Sequence, residues 1–327
     1  MTARLATVDI SSLLDANASP QSRAPCRDAL HHALRDTGFA VLQGTQVPPQ
    51  VLANMRQAVR AVFDAPRGLY RDWVVQKNNY RGYVPLAYFT PNAGGAQADQ
   101  YEAWKLHWQV EASDPVCAES SLYGPNRWPP VDFDVRGAVQ AYWLEMTRVN
   151  DAILKALCEA LGIDPAVVLG MMDRPLTNMT LLNYPPGKVR DDRWGIHPHK
   201  DFNFLTLLAH DPVGGLEVRT QDGTWIEAEC AEQEHVLNVG DMLELLTGGR
   251  LVSTPHRVTN RSARQRQSFP YFSVPRFDVV VAPLLPPVPG FQRSPLQSGA
   301  ASHDIWYSNW PDESVRDTRI DLGNYAG

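Results

Sequence analysis

Cysteine is scarce in this chain: Cys26, Cys117, Cys158 and Cys230 are the four in 327 residues, and no two are close. Such spacing gives neither a disulfide framework nor a cysteine metal site, and it suits a reducing cytoplasm. Cys158 falls on the apolar side of a helical pattern and reads as buried packing. Apolar runs of membrane-spanning length are missing too, so no membrane partner is expected. The opening MTARLATVDISSLLDANASP lacks the basic-then-apolar order of a signal peptide. Positive charge is in deficit: 30 Lys and Arg against 36 Asp and Glu give a net charge of -6 and a pI of about 5.8. That balance disfavours nucleic acid as a partner. No internal repeat or linker divides the chain. What remains is a globular sequence, 44% hydrophobic, long enough for one large core.

Its patterning changes along the length. Residues 6–12 read as a short strand, and Pro25 leads a helical run that Gly38 stops. A strand begins at Phe39. Val51, Met55, Val59 and Val62 are spaced for a helix over 49–63, and a short helix to Trp73 follows. Residues 79–110 read as loop and irregular strand. Val135, Val139, Trp143, Met146, Val149, Ile153 and Leu157 recur at threes and fours, which predicts a long scaffold helix over 134–160. A short helix over 165–171 leads to a strand at 178–184. From there to about residue 285, strand-like runs alternate with Gly-Asp, Asp-Gly and Gly-Gly turns, a pattern that fits an antiparallel two-sheet roll. The tail carries Trp306, Tyr307 and Trp310 and is expected to dock. The expected organisation is 1–125 as a helix-and-strand region packed on the core, 126–174 as scaffold helices, 175–285 as the core and 286–327 as a cover. All four belong to one structural unit.

The chemistry concentrates in the last third. His199 and Asp201 flank Lys200, His256 stands alone downstream, and Arg266 and Ser268 flank Gln267. Two imidazoles and a carboxylate can hold a divalent iron on one face and leave its other positions open. On a strand, side chains two residues apart point the same way, so His199 and Asp201 are expected to share a face. Arg266, ten residues after His256, presents a fork that pairs two-pronged with a carboxylate, and the Ser268 hydroxyl adds a bond. The set reads as a metal centre beside a site for an acid. The other histidines lack such partners. His31 and His32 lie on an N-terminal helix, His197 could line the entrance, His210 has no role, and His235 reads as surface in an acidic turn.

These motifs, with their surroundings, resemble the isopenicillin N synthase-like branch of the Fe(II)/2-oxoglutarate-dependent oxygenases. The matching framing includes Tyr184-Pro185-Pro186, Leu205-Thr206-Leu207-Leu208, Gly214-Gly215-Leu216, Asp222-Gly223-Thr224-Trp225, Asn238-Val239-Gly240-Asp241 and Ser253-Thr254-Pro255-His256. Upstream, Val8-Asp9-Ile10, Gly38-Phe39, Arg81-Gly82-Tyr83 and Asn126-Arg127-Trp128-Pro129 extend the likeness to about residues 6–285. The resemblance implies a mainly β fold with flanking helices, a double-stranded β-helix or cupin-like jelly roll. It implies Fe(II) on His199, Asp201 and His256, and 2-oxoglutarate as cosubstrate, its distal carboxylate on Arg266, Ser268 and Tyr184. It further implies O2, release of succinate and CO2, and oxidation of a small metabolite, foremost hydroxylation, as in secondary metabolism. Tyr184 could instead simply pack. Halogenating relatives replace the carboxylate ligand, and Asp201 is intact.

For substrate, relatives use the position of Phe272 as a pocket wall. Phe202, Trp194 and Tyr83 are further candidates by placement, and Arg81, Arg190 and Arg193 could pair with an acidic group. Isopenicillin N synthase has an Arg where this chain has Tyr80, which weakens any transfer of its tripeptide substrate. Gln43-Gly44-Thr45 also departs from the family's Asn-His-Gly. The expected assembly is a monomer or weak homo-oligomer. Competing readings are a keto-acid-independent oxidase like isopenicillin N synthase, an ethylene-forming relative, and a non-catalytic binding protein on the same roll.

Overall fold

The computed structural model describes residues 4–89, 98–187 and 194–308. β1 (Thr7–Asp9) leads through the one-turn α1 (Ser11–Leu14) to α2 (Pro20–Asp36), β2 (Phe39–Gln43) and α3 (Pro49–Asp64). A 3-10 segment (Arg67–Trp73) precedes β3 (Gly82–Val84) and β4 (Glu102–His107). The helices α4 (Val116–Glu119), α5 (Val135–Leu161) and α6 (Pro165–Gly170) come next. Then follow β5 (Asn178–Tyr184), β6 (Ile196–His199), β7 (Leu205–Ala209), β8 (Leu216–Arg219), β9 (Trp225–Glu227) and β10 (His235–Val239). α7 (Asp241–Leu246), β11 (His256–Val258), β12 (Arg266–Ser268), β13 (Tyr271–Ser273), β14 (Val280–Val281), β15 (Leu296–Gln297) and α8 (Ser298–Ser308) complete the order.

Local signals explain where the helices begin and end. Ser19 caps α2 by accepting from the Ser22 amide at 3.1 Å, and Pro20 takes the first helical position. The helix therefore starts five residues before the expected Pro25, which it absorbs. Asp134 caps α5 by accepting from the Gly137 amide at 2.8 Å, and Gly162 ends it with a left-handed φ of 70°. α5 buries the expected stripe except at Trp143. There Tyr142 goes inside, and Trp143 packs partly buried beside Tyr271.

Among the described residues the major sheet runs β1-β2-β10-β7-β13-β5-β4-β3, with β12 also pairing β5, and a minor sheet runs β6-β11-β8-β9. The two sheets form a jelly roll. The helices α2, α3 and α5 cover the outer face of the major sheet. Strand alternation sorts the side chains: Met179 and Leu181 of β5 join the helix-side core, while Leu182 and Tyr184 join the core between the sheets with Leu216 and Val218. Residues 1–125 supply four strands of the major sheet, so they are woven into it and do not merely pack on it. β4 is also more regular than expected, pairing with β5 over its full length. No helix among the described residues is long and apolar enough to cross a membrane.

Candidate metal centre and acid site

His199 ends β6, His256 opens β11, and the antiparallel register sets them directly opposite each other. Their ring centroids are 4.3 Å apart. Asp201 Oδ1 lies 3.8 Å from His199 Nε2 and 3.8 Å from His256 Nε2. The three ligand atoms all fall within 4.8 Å of one another. Each imidazole is fixed from behind. His199 Nδ1 donates to the His197 carbonyl at 2.8 Å, and His256 Nδ1 donates to the Thr254 carbonyl at 3.2 Å. With the proton on Nδ1, each Nε2 turns a lone pair toward the common point. The donor set fits a divalent ion.

Asp201 departs from the expected strand geometry. β6 stops at His199, and Asp201 lies in the crossing segment before β7. Its direction is set from the other sheet. Oδ2 accepts from the Thr206 hydroxyl at 2.6 Å and from Asn238 Nδ2 at 2.8 Å. Those bonds leave Oδ1 turned toward the two Nε2 atoms, where it could ligate an ion. Burial opposes ionisation of this carboxyl, but His256, His199 and the Thr206 and Asn238 bonds outweigh it, and Asp201 is held below the usual carboxylate range. His199 is also shifted down, chiefly by burial and then by His256, which keeps it neutral for ligation.

Arg266 on β12 faces Tyr184 on β5 across the ladder. Arg266 is 3% exposed, and no carboxylate pairs with its guanidinium among the described residues. Nε donates to the Gly214 carbonyl at 2.7 Å, Nη1 to Ser268 Oγ at 3.4 Å, and the Tyr184 ring centre lies 4.8 Å from Cζ. Gly214 and Gly215 both have positive φ, and a Cβ on Gly215 would stand 1.9 Å from the Thr259 carbonyl. Only glycine permits this turn to present its carbonyl to the arginine. A buried guanidinium beside a hydroxyl, with no carboxylate partner among the described residues, is the complement of a carboxylate.

One inward-facing row crosses the major sheet in register: Phe39, Asn238, Thr206, Phe272, Asn178 and His107. Phe272 thus sits beside the threonine that holds Asp201. Phe202 packs partly buried in the same aromatic cluster as Phe272 and Trp306. Trp194 lies under the Arg257 guanidinium near His197. His197 itself pairs with Asp99 at 2.6 Å, behind His199. Tyr83 belongs elsewhere. Its hydroxyl donates to Glu102 at 2.7 Å, and its ring packs on Tyr70 and Trp104 in the helix-side core. Arg190 and Arg193 lie outside the described residues, as does Trp310.

His235 is not at the surface. It opens β10, is 1% exposed and stacks on Tyr142, because its strand parity matches Leu237 and Val239 on the helix side. Sequence reading also missed Thr206 and Asn238 as supports of Asp201, and Lys105 and His107 as inward groups of β4. The tail docks through α8: Trp306 meets His107 edge-on at 4.8 Å and Tyr80 at 5.2 Å.

Comparison with known proteins extends this picture. The family pattern of the 2OG-Fe(II) oxygenase superfamily matches residues 176–275, and that of the non-haem dioxygenase in morphine synthesis N-terminal region matches residues 5–131. The chain is 30% identical over 268 residues to the 2-oxoglutarate-dependent dioxygenase thnC of Trichoderma harzianum, covering 81% of this chain and 82% of that protein. It is 30% identical over 303 residues to Validamycin A dioxygenase of Streptomyces hygroscopicus subsp. limoneus, covering 89% and 82%. Among solved structures, full-length Neurospora crassa T7H in complex with alpha-KG and thymine superposes with a TM-score of 0.78 at 20% identity, covering 94% of this chain and 97% of that one. At that identity the likeness carries the fold.

Proposed function

The chain belongs to the 2OG-Fe(II) oxygenase superfamily as a non-haem iron 2-oxoglutarate-dependent dioxygenase, and from that premise we propose that it hydroxylates a small, partly polar metabolite. His199, Asp201 and His256 would hold Fe(II) on one face. Arg266, Ser268 and Tyr184 would bind the distal carboxylate of 2-oxoglutarate. Iron, 2-oxoglutarate and O2 supply the oxidising chemistry, with succinate and CO2 released.

The residues of this chain supply aim and exclusion. Thr206 and Asn238 orient the Asp201 carboxylate, and the His197 and Thr254 carbonyls hold the two imidazoles in the ligating tautomer. Phe272, Phe202 and Trp306 pack partly buried against one apolar cluster and would wall the substrate's space beside the metal. The substrate we propose is a free metabolite, not a protein chain or nucleic acid, in keeping with the acidic net charge of -6. Free thiols at all four cysteines fit a reducing compartment such as the cytoplasm, which preserves ferrous iron. A monomer or weak homo-oligomer is sufficient, because one chain supplies the whole set.

The observation that carries the reading is the buried Arg266, with no carboxylate partner among the described residues, in a chain whose His199, Asp201 and His256 converge as a candidate metal site. Calorimetric titration of the anaerobic Fe(II) protein with 2-oxoglutarate tests it. Arg266→Ala should bind at least tenfold more weakly. Arg266→Lys should also lose affinity, because an ammonium cannot reproduce the planar fork. Unchanged affinity in Arg266→Ala would favour the keto-acid-independent oxidase instead.

A further inference from the structure

Lys105 is a half-buried cation on the inward side of β4, and among the described residues no anion balances it. It lies in the middle of β4, directly opposite Thr180 of β5. Nζ donates to Thr180 Oγ1 at 3.1 Å and lies 5.3 Å from the centre of the Tyr80 ring. No Asp or Glu pairs with it among the described residues. Burial alone acts on the amine and lowers its pKa to about 8. Arg81 repeats the pattern. It is 3% exposed, donates Nη2 to the Leu122 carbonyl at 2.6 Å and leaves Nε without a partner. His107, two residues beyond Lys105 on the same face, is held neutral by burial and by the Arg81 and Lys105 charges. Among the described residues the amine meets the Thr180 hydroxyl and the Tyr80 ring, neutral His107 feels both its charge and that of Arg81, and no acid joins them.

A cation partly withdrawn from water with no partner charge is costly, and a ligand anion offsets that cost. We propose that Lys105 anchors a carboxylate on the substrate, so that the site takes a small organic acid whose apolar part rests against Tyr80, Trp306 and Phe272. The inference rests on the reading above that the roll interior holds the substrate. It does not concern the cosubstrate's carboxylate. Thr180 and Tyr184 are four residues apart on β5, roughly 13 Å at the usual rise, so Arg266 and Lys105 serve different ends of the interior. Asp201 is held by Thr206 on β7, three strand spacings from β4, on the order of 14 Å. A small acid held at Lys105 can span that interval and present a carbon to the metal.

The test uses the anaerobic protein loaded with Fe(II) and 2-oxoglutarate. Tryptophan fluorescence would follow titration with monocarboxylates from acetate to 3-phenylpropionate, each paired with its amide. At least one acid should bind tenfold or more tightly than its amide. Lys105→Met should abolish that preference, and Lys105→Arg should retain most of it. In the parent protein the acid's affinity should fall as pH rises through about 8, where the amine loses its proton, and in Lys105→Arg it should stay level. Equal binding of every acid and amide, or a preference that survives in Lys105→Met, overturns the proposal. So does a loss of 2-oxoglutarate affinity in Lys105→Met, which would assign the lysine to the cosubstrate. The Arg266→Ala titration reports on the functional reading alone, so the two can fail separately.

Discussion

Thr206 and Asn238 perform no chemistry, yet they decide which way Asp201 points. Both sit on the major sheet and both bond the same carboxylate oxygen. Removing one bond should loosen the ligand without disturbing the core. Thr206→Val keeps the branched shape, and a Co(II) titration should show metal affinity reduced roughly 10- to 100-fold, the usual cost of losing a support behind a ligand. Unchanged affinity would show that Asn238 suffices. At this scale the convergence of the three candidate ligands and the nearby Arg266 was legible, because His199-Lys200-Asp201, His256 and Arg266-Gln267-Ser268 occur together, in that order and among strand-like runs. Their supports were not. Threonine and asparagine occur throughout strands, and only the register that sets Thr206 beside Asn238 gives them a shared target.

Among the elements, β4 and β10 show why strand reading fails at certain places. EAWKLH has no clean alternation of apolar and polar residues. Trp104 and Leu106 enter the helix-side core, and Glu102 on that same face is satisfied by Arg67, Tyr83 and Asn183. Lys105 and His107 turn inward. Polar groups thus lie on both faces, and the period-two signal that marks a half-buried strand disappears. β10 hides its start in an acidic turn, so its first residue reads as surface. His235 is in fact buried beside Tyr142 with neither ring nitrogen hydrogen-bonded, and burial lowers its pKa to about 4. The unfolded chain therefore takes up this proton first. The contribution is complete above about pH 6.5 and is lost as pH falls toward 4, to the extent of about 3 kcal/mol. His235→Leu should flatten that part of the stability profile, measured by urea unfolding at pH 7 and pH 4.5. An equal slope in both proteins would remove His235 as its source.

For the molecule as a whole, the turn signals and apolar runs of residues 178–285 were enough to read a roll. The pairings β2 with β10 and β4 with β5 were not readable, because each joins segments far apart in sequence and no local pattern records the partner. The same long-range weave gives the metal centre a mechanical role. His199 and His256 come from the minor sheet, while Asp201 is held by bonds to the major sheet. An ion bound to all three acts as a rivet between two layers otherwise joined by side-chain packing and loops. Filling the site should therefore tighten the whole sandwich and not only its mouth. At a hundredfold excess over Kd the gain is about 2.7 kcal/mol, which anaerobic Fe(II) should register as a higher melting temperature and a chelator should reverse. Amide exchange should localise the effect, slowing along His256–Val258 and along β10, on opposite sides of the rivet. Loss of the ion would then be felt as a loosening of architecture, so that the metal-free protein becomes the easier target for proteolysis.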